Sequence, residues 1–228
     1  MSINVDMKAL FEAGAHFGHK TSRWSPKMAP YIHSKREGAH IINLEKTVEG
    51  LEKALPFATN LSKNGKKILF VGTKKQLKDL VKESAEAAEM PYVTVRWVGG
   101  TLTNVETVNR QIRKLKDLEK KMASGELETR YSQLEVQRFQ EEIDVLNERY
   151  GGIKDMTEQP AAVLITDAVE DKNAIKEARS LNIPVIALCD TNVDPTGIDY
   201  VIPMNDDAVK AEKLVLDYFV EAIKEGKK

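Results

Sequence analysis

The residues best suited to chemistry lie in one N-terminal stretch, residues 14–47, where cationic and aromatic side chains are mixed. Cationic side chains suit phosphates, and flat rings can stack on bases or riboses. The residues of this character are His16, His19, Lys20, Arg23, Trp24, Lys27, Tyr31, Lys35, Arg36 and His40. The stretch therefore predicts contact with RNA rather than catalysis.

The four histidines of this stretch also raise the alternatives of a zinc site or a catalytic histidine. His16 and His19 have two residues between them, but the other two are distant and no cysteine is nearby to complete a thiolate site. No serine or cysteine nucleophile pairs with a histidine on sequence grounds. We therefore expect neither a zinc site nor histidine catalysis.

A second candidate phosphate contact is Thr73-Lys74-Lys75, directly after an apolar run. These residues are predicted to begin a helix, where the macrodipole disfavours positive charge unless an anion is bound. They match neither the glycine motif of dinucleotide-binding folds nor that of phosphate-binding loops. A phosphate clamp and a pair of solvated lysines therefore both remain open.

Acidic residues collect at the predicted ends of the last strands: Asp190, Asp194, Asp206 and Asp207. Their oxygens suit a hard divalent cation. The alternative is turn and cap chemistry, with residue 205 or 206 beginning the last helix and residues 194–197 forming a turn.

Apolar runs and helical patterns alternate along the chain and must position these residues. Predicted strands span residues 66–73, 92–97, 161–167, 184–190 and 200–203, and predicted helices span residues 43–64, 75–90, 172–181 and 206–224. This alternation predicts an α/β fold with a doubly wound parallel sheet of about five strands, covered on both faces. Residues 22–39, with Pro26, Pro30 and Gly38, are predicted to be an irregular loop.

Residues 104–150 interrupt the alternation and carry heptad spacing in two arms. We predict an inserted antiparallel helical hairpin with its turn near residues 123–129, where Ser124 and Gly125 break the helix. An arm of about 19 residues would extend roughly 28 Å; the alternative is that both arms lie along the main domain. Residues 1–103 and 151–228 then form the α/β domain, with a basic loop at about 14–43.

The composition is that of a chain with a proper core: 42% of the residues are hydrophobic, and 34 basic residues nearly balance 35 acidic ones. Net charge therefore does not by itself predict nucleic-acid binding. No apolar run approaches the roughly 20 residues of a membrane helix, so we expect a soluble cytoplasmic protein without membrane contact. The single cysteine, Cys189, is expected to be buried and inert.

Six sequence blocks, in order, resemble the family of bacterial small-subunit ribosomal protein two. They are AGAHFGHKTSRWSPKM (13–28), HIINLEKT (40–47), KILFVGTKKQ (67–76), RWVGGTLTN (96–104), GGIKDM (151–156) and IPVIALCDTNVDPTGIDYVIPMNDDA (183–208). The resemblance implies a non-enzymatic protein between the head and body of the small subunit, with a flavodoxin-like sheet and a projecting coiled-coil hairpin. It further implies contact with 16S ribosomal RNA and neighbouring ribosomal proteins, including the messenger-binding protein one where that is present.

The family's RNA contacts carry over to particular positions of this chain. With Lys20 and Trp24 from the basic stretch, the expected RNA-binding residues are His16, His19, Arg23, Lys27, Arg36, Thr73, Lys74, Lys75, Arg96, Trp97, Gly99, Gly100, Thr103 and Asn104. Trp24 and Trp97 are read equally well as core rings or as stacking rings. No resident cofactor is expected, apart from a divalent cation near Ser25, Asp190 and Asp206 as in some relatives; serine replaces the usual asparagine at position 25, which weakens that set.

One rival function follows from the sheet and from Lys74-Lys75: a flavodoxin-like protein that binds a nucleotide or another phosphorylated ligand. It lacks a complete phosphate motif and leaves the histidine-rich stretch and the hairpin unexplained. We therefore favour the RNA-binding ribosomal protein.

Overall fold

The N-terminal part of the chain forms a small antiparallel sheet. The computed structural model describes residues 3–227. Helix α1 (Met7–Glu12) is followed by β1 (Phe17–Lys20), β2 (Ile32–Arg36) and β3 (Ala39–Ile42), in the sheet order β1-β3-β2. Two 3-10 helices, Thr21–Arg23 and Pro26–Tyr31, connect β1 to β2. The prediction of an irregular loop for residues 22–39 is therefore wrong.

Local chemistry explains this small sheet. Pro26 lies at the start of the second 3-10 helix, where its missing N–H is not needed. Glu37 and Gly38 both have positive φ, 51° and 81°, as a tight two-residue hairpin turn requires. The strands have only four or five residues and β2 is mostly exposed, so their apolar alternation is too weak to be recognised in the sequence.

The central sheet has five parallel strands, as predicted. They are β4 (Ile68–Val71), β5 (Tyr92–Val93), β6 (Ala162–Ile165), β7 (Val185–Cys189) and β8 (Tyr200–Pro203), in the order β5-β4-β6-β7-β8. Strand β5 ends at Val93 rather than at residue 97. The buried strands are continuous apolar runs because both faces of a parallel sheet are covered.

Helices cover the two faces of this sheet. The remaining helices are α2 (Leu44–Lys63), α3 (Lys78–Ala88), α4 (Val105–Ala123), α5 (Glu126–Arg130), α6 (Gln133–Tyr150), α7 (Lys172–Ser180) and α8 (Val209–Gly226). Successive strand residues point to opposite faces. Accordingly, Ile68 and Phe70 pack in a core with α2, α3 and α8, whereas Leu69 and Val71 pack in a second core with α4, α6 and α7.

The strand order fixes where a site can lie. The chain leaves β4 for β5 on one side and then crosses from β5 to β6 on the other side of β4, so the strand order reverses between β4 and β6, which is the switch point of a flavodoxin-like sheet. In such sheets, the crevice beyond the carboxyl ends of these strands is the usual ligand position. Here Thr73 and Lys74 follow β4, and Asp167 follows β6.

The insertion at residues 104–150 contains the two predicted helical arms, α4 and α6, which pack on each other. Leu115 and Leu118 of α4 and Ile143 and Leu146 of α6 are buried in the second core. Gly125, with a φ of 71°, separates α4 from the next helix as predicted, but the connection also contains the short helix α5. Coiled-coil packing and projection of the hairpin stay predictions.

Candidate nucleic-acid interface

The small sheet presents several cationic side chains to solvent. Lys20, Arg23 and Arg36 are exposed, and within residues 3–227 their side chains form no hydrogen bond or ion pair. They come from the end of β1, the following 3-10 helix and the end of β2. The three residues thus offer uncompensated positive charge on one structural unit.

Trp24 lies within this unit, half-buried between a cation and a second ring. The Lys35 ammonium is 5.6 Å from the centroid of the Trp24 ring. The imidazole of His40 lies 5.0 Å from that ring, tilted by 37°. His40 is fully buried, and this burial, with the nearby Lys35, lowers its pKa. His40 is therefore a neutral packing ring and not a phosphate contact.

His16 belongs to a surface stack of aromatic rings. Its ring centroid is 4.2 Å from that of Phe11 and 4.1 Å from that of Phe17. Both phenylalanines are more than half exposed. Burial lowers the pKa of His16, so its ring is predominantly neutral at pH 7. Sequence reasoning missed the two phenylalanines because they carry neither charge nor motif.

His19 and Ser25 dock the small sheet onto the carboxyl end of β7. The His19 backbone N–H donates to Asp190 Oδ1 (3.2 Å) and Thr191 Oγ1 (3.0 Å), and its Nδ1 lies 2.9 Å from Asp190 Oδ2. The Ser25 N–H donates to the Thr191 carbonyl over 2.7 Å. The structure thus brings the predicted RNA residue His19 together with the predicted metal residues Ser25 and Asp190.

Lys27 has partners within the protein. Its ammonium lies 2.8 Å from Asp194 Oδ2 and 2.8 Å from Thr196 Oγ1. The hydrogen bond from Lys27 holds the pKa of Asp194 far below its usual value. More than half of the Lys27 side chain is nevertheless exposed, so a phosphate could compete for it.

Thr73 and Lys74 bind carboxylates. The Thr73 N–H donates to Asp171 Oδ2 (3.1 Å), and its hydroxyl to Asp171 Oδ1 (2.9 Å). The Lys74 ammonium lies 2.7 Å from Asp207 Oδ1, 3.1 Å from Asp206 Oδ1 and 3.4 Å from Asp167 Oδ2. Burial by itself would lower the pKa of Lys74. The contacts with Asp207 and Asp206 outweigh this effect and raise the pKa of Lys74 above its usual value. Only Lys75 of the three is exposed, and within residues 3–227 its side chain forms no ion pair.

The predicted helix starts around this site are wrong in both places. Helix α3 begins at Lys78, three residues after the predicted start, so Lys74 and Lys75 lie before it. Helix α8 begins at Val209 with Ala208 at its N-cap. Asn205 instead accepts a hydrogen bond from the Asp207 N–H, while Asp206 turns inward to Lys74.

A cluster of buried carboxyl groups surrounds Lys74. Its members are Asp167, Asp171, Asp190, Asp206 and Glu212. Burial, followed by the charge of Asp167, raises the pKa of Asp206 to about 6. Burial and the charge of Asp206 raise that of Glu212 to about 9, and neither oxygen of Glu212 has a hydrogen-bond partner among the described residues. The switch-point crevice is therefore acidic.

Three side chains here could share a metal ion. Ligand atoms of His19, Asp206 and Asp207 lie within 4.8 Å of one another. Of the metal ligands expected from the sequence, Ser25, Asp190 and Asp206, only Asp206 belongs to this group. Asp190 instead contacts His19, and Ser25 bonds through its backbone N–H to Thr191. The Lys74 ammonium bonds to the same Asp206 and Asp207, so a cation would have to share these carboxylates with it.

The predicted RNA-binding loop after β5 is organised by one carboxylate, Glu177 of α7. Its oxygens accept hydrogen bonds from five donors at 2.8–3.3 Å: Trp97 Nε1, the N–H groups of Gly100, Leu102 and Thr103, and Thr103 Oγ1. Partial burial by itself would raise the pKa of Glu177. The hydrogen bonds from these donors outweigh this effect, so the pKa of Glu177 is lowered overall. Sequence reasoning missed Glu177, since one glutamate in an amphipathic helix gives no signal.

The members of this loop therefore have different environments. Trp97 is buried with its N–H bonded, and Asn104 caps α4 by accepting from the Thr107 N–H (3.4 Å). Arg96 and Gly99 are exposed. The loop can thus offer Arg96 to a ligand while Trp97 anchors it.

A large surface cavity lies away from these residues. A groove of about 900 Å³ runs past Lys67, Tyr92 and Gly152, at the amino end of the sheet. None of the predicted site residues lines it. The exposed cationic residues of the candidate interface therefore lie outside this groove.

Two further findings concern the whole chain. Among the described residues, no helix has the length and apolar character needed to cross a bilayer. A family model described as Ribosomal protein S2 matches residues 10–226 of the 228.

Proposed function

Because the chain belongs to the ribosomal protein S2 family and is thus a ribosomal structural protein, we propose that it binds 16S rRNA in the small subunit through its N-terminal small sheet. It does so in cytoplasmic ribosomes and without enzymatic activity. The family is generally non-enzymatic, which supports the proposed lack of enzymatic activity. Neighbouring ribosomal proteins, among them the messenger-binding protein one where present, are its protein partners.

The observation that carries this proposal is the uncompensated charge of Lys20, Arg23 and Arg36 beside the half-buried Trp24. Exposed cationic side chains can bind the oxygens of a phosphate backbone, and an adjacent ring can stack on a base. Exposed Lys75 and Arg96 are further phosphate contacts of this proposal. His19, Thr73, Lys74, Trp97, Thr103 and Asn104 serve mainly to hold these segments in place.

The rival nucleotide-binding function has an electrostatic obstacle. In the switch-point crevice, Lys74 is surrounded by Asp167, Asp206 and Asp207. A phosphate entering there would meet this carboxylate cluster, and like charges at such distances repel strongly in a partly buried site. The geometry favours the RNA-binding function.

A divalent cation at His19, Asp206 and Asp207 is a second part of the proposal. Imidazole beside carboxylates suits Zn²⁺ or Mn²⁺, and such an ion would offset the acidic charge and fasten the small sheet to β8 and α8. Calorimetry of the metal-free protein with Zn²⁺ and Mn²⁺ tests it, with Asp207→Asn as the variant. Absence of binding heat in the parent protein would exclude the site.

The RNA proposal is tested with Arg23→Glu/Arg36→Glu and the matched control Lys53→Glu/Lys63→Glu, which makes the same charge change at exposed positions of α2. Each tagged variant is expressed in cells and followed on a magnesium-containing sucrose gradient. We expect the first variant to leave the small-subunit peak and the control to remain there. Equal incorporation of both would contradict the proposal.

A further inference from the structure

The exposed face of α7 carries a stripe of cations that no sequence motif indicated. Lys172, Lys176 and Arg179 are all exposed. At 3.6 residues per turn, they fall within an arc of about 60° on the helix. The opposite side of α7, with Ala174, Ile175 and Ala178, is buried in the second core.

The fold itself gives little reason for this stripe. Like charges at i and i+4, such as Lys172 and Lys176, destabilise a helix, and a cation in the first turn opposes the macrodipole. Within residues 3–227 the ammonium groups of these two lysines form no ion pair. The neighbouring acids offer little compensation, since Glu177 is bonded to five donors and Asp171 is buried against Thr73. Exposed Glu170 precedes the helix. A bound anion would reverse the sign of both penalties.

The position of the stripe connects two surfaces. At one end, Arg179 Nη1 donates to the Thr196 carbonyl (3.4 Å), and Lys27 bonds to the hydroxyl of the same threonine (2.8 Å). Two residues before Arg179, Glu177 accepts hydrogen bonds from the loop that follows Arg96. Helix α7 therefore contacts both the segment that binds Lys27 and the loop that follows Arg96.

We propose that the Lys172–Lys176–Arg179 face of α7 binds the phosphate backbone of the ribosomal RNA and joins Lys27 and Arg96 into one continuous contact. This inference rests on the proposed function, because it takes its partner from it. Three cations in about 10 Å of helix suit successive phosphates, and the lack of an exposed aromatic ring in the stripe argues against base readout. Arg179, whose guanidinium lies against Gly197, is the fixed member.

RNA is favoured over an acidic protein because the stripe is continuous with the residues already proposed for RNA and contains no apolar residue. Specific protein interfaces usually have an apolar centre. The large exposed hydrophobic side chains of this chain lie elsewhere, except Val169, which precedes α7.

The test uses full-length protein and a transcript of the small-subunit ribosomal RNA, with affinity measured by filter binding from 0.05 to 0.4 M KCl. Lys172→Gln/Lys176→Gln is compared with Lys53→Gln/Lys63→Gln, which removes equal charge from α2. We expect the α7 variant to bind about tenfold more weakly at 0.15 M salt, with a salt slope smaller by about two. The control should match the parent, and thermal unfolding should show both variants folded.

The outcomes separate this inference from the proposed function. Parent-like affinity and slope in the α7 variant, while the parent binds RNA, would overturn the α7 contact and leave the proposed function intact. A parent protein that does not bind the transcript would overturn the proposed function as well. If the α7 variant binds the transcript normally but is lost from the small subunit, the stripe would be assigned to a protein neighbour. This outcome would also overturn the proposed RNA contact of α7.

Discussion

Two glutamates in helices flanking the sheet have opposite electrostatic environments. Glu177 accepts five hydrogen bonds and has a lowered pKa, whereas Glu212 is buried without a hydrogen-bond partner among the described residues and has a pKa raised to about 9. The same residue type thus holds a loop in its charged form and fills a core in its neutral form.

Glu177→Ala should destabilise the protein by about 2–4 kcal/mol, because five donors lose a charged acceptor and two of them belong to buried residues. Urea unfolding followed by tryptophan fluorescence measures this directly, since Trp97 is itself a donor. The control Glu170→Ala removes an exposed carboxylate next to the same helix and should stay within about 0.5 kcal/mol. Equal stability of the two variants would show that Glu177 does not anchor the loop.

Glu212→Gln should make the protein more stable than the parent, and this difference should increase as the pH rises. A carboxyl whose folded pKa is raised contributes most stability below its unfolded pKa, near 4.5, and loses that contribution as pH rises toward about 9. The glutamine variant removes this loss, which is on the order of 5 kcal/mol at pH 8 for a folded pKa of about 9. Unfolding at pH 5, 6.5 and 8 measures it, with exposed Glu221→Gln as control. A difference that does not grow with pH would contradict a buried neutral Glu212.

At the scale of elements, the decisive feature is how the small sheet docks on the large one. Strand β1 lies against the loop after β7, where His19 and Ser25 bond to Asp190 and Thr191. Thr47 of α2 also donates to the Pro203 carbonyl, and so ties the helix after β3 to β8. The exposed cations of the small sheet are therefore held by a rigid support.

Gly18→Ala tests this docking. A Cβ at Gly18 would lie 2.7 Å from Thr191 Cγ2 and 3.1 Å from the His40 carbonyl oxygen, so the small sheet must move. We expect a loss of about 1–3 kcal/mol from overpacking, together with weaker RNA binding. Calorimetric unfolding and filter binding provide the two measurements. Gly99→Ala, where nothing lies within 4 Å, is the matched control for the unfolding measurement; equal stability of the two variants would mean that β1 is not closely docked.

At the scale of the whole molecule, charge is nearly balanced, with a net charge of −1, but it is unevenly distributed. Buried carboxylates collect at the switch point, whereas exposed cations without an ion pair among residues 3–227 lie on the small sheet, on the loop after β5 and on α7. Attraction to a polyanion must therefore come from local contacts rather than from the total charge.

This distribution predicts the salt dependence of RNA binding. If Lys20, Arg23, Arg36, Lys75 and Arg96 each contact a phosphate, log K should fall with log[KCl] with a slope of about −4, and the α7 lysines would steepen it by about two. Titrations between 0.05 and 0.4 M KCl measure the slope. The Arg23→Glu/Arg36→Glu variant should have a shallower slope than the parent. A flat profile would mean that phosphates do not dominate the interaction.

The sequence by itself determined the parallel sheet, the two helical arms and the family. Short continuous apolar runs and helical spacing are local signals, and they predicted β4, β6, β7 and β8 within a few residues. It also predicted that Cys189 is buried. It failed for the small sheet, whose strands are short and polar, and for the start of α8, where Asp206 bonds to Lys74 instead of capping the helix.

Only the tertiary structure decided which candidate residues are available to a ligand. Lys74, Lys75 and Arg96 look alike in the sequence, yet Lys74 is held by three carboxylates while the other two are exposed. Those carboxylates come from segments more than 90 residues away, and pairings over such separations leave no local pattern. For the same reason, the roles of Glu177 and of the α7 stripe became visible only when distant segments were brought together.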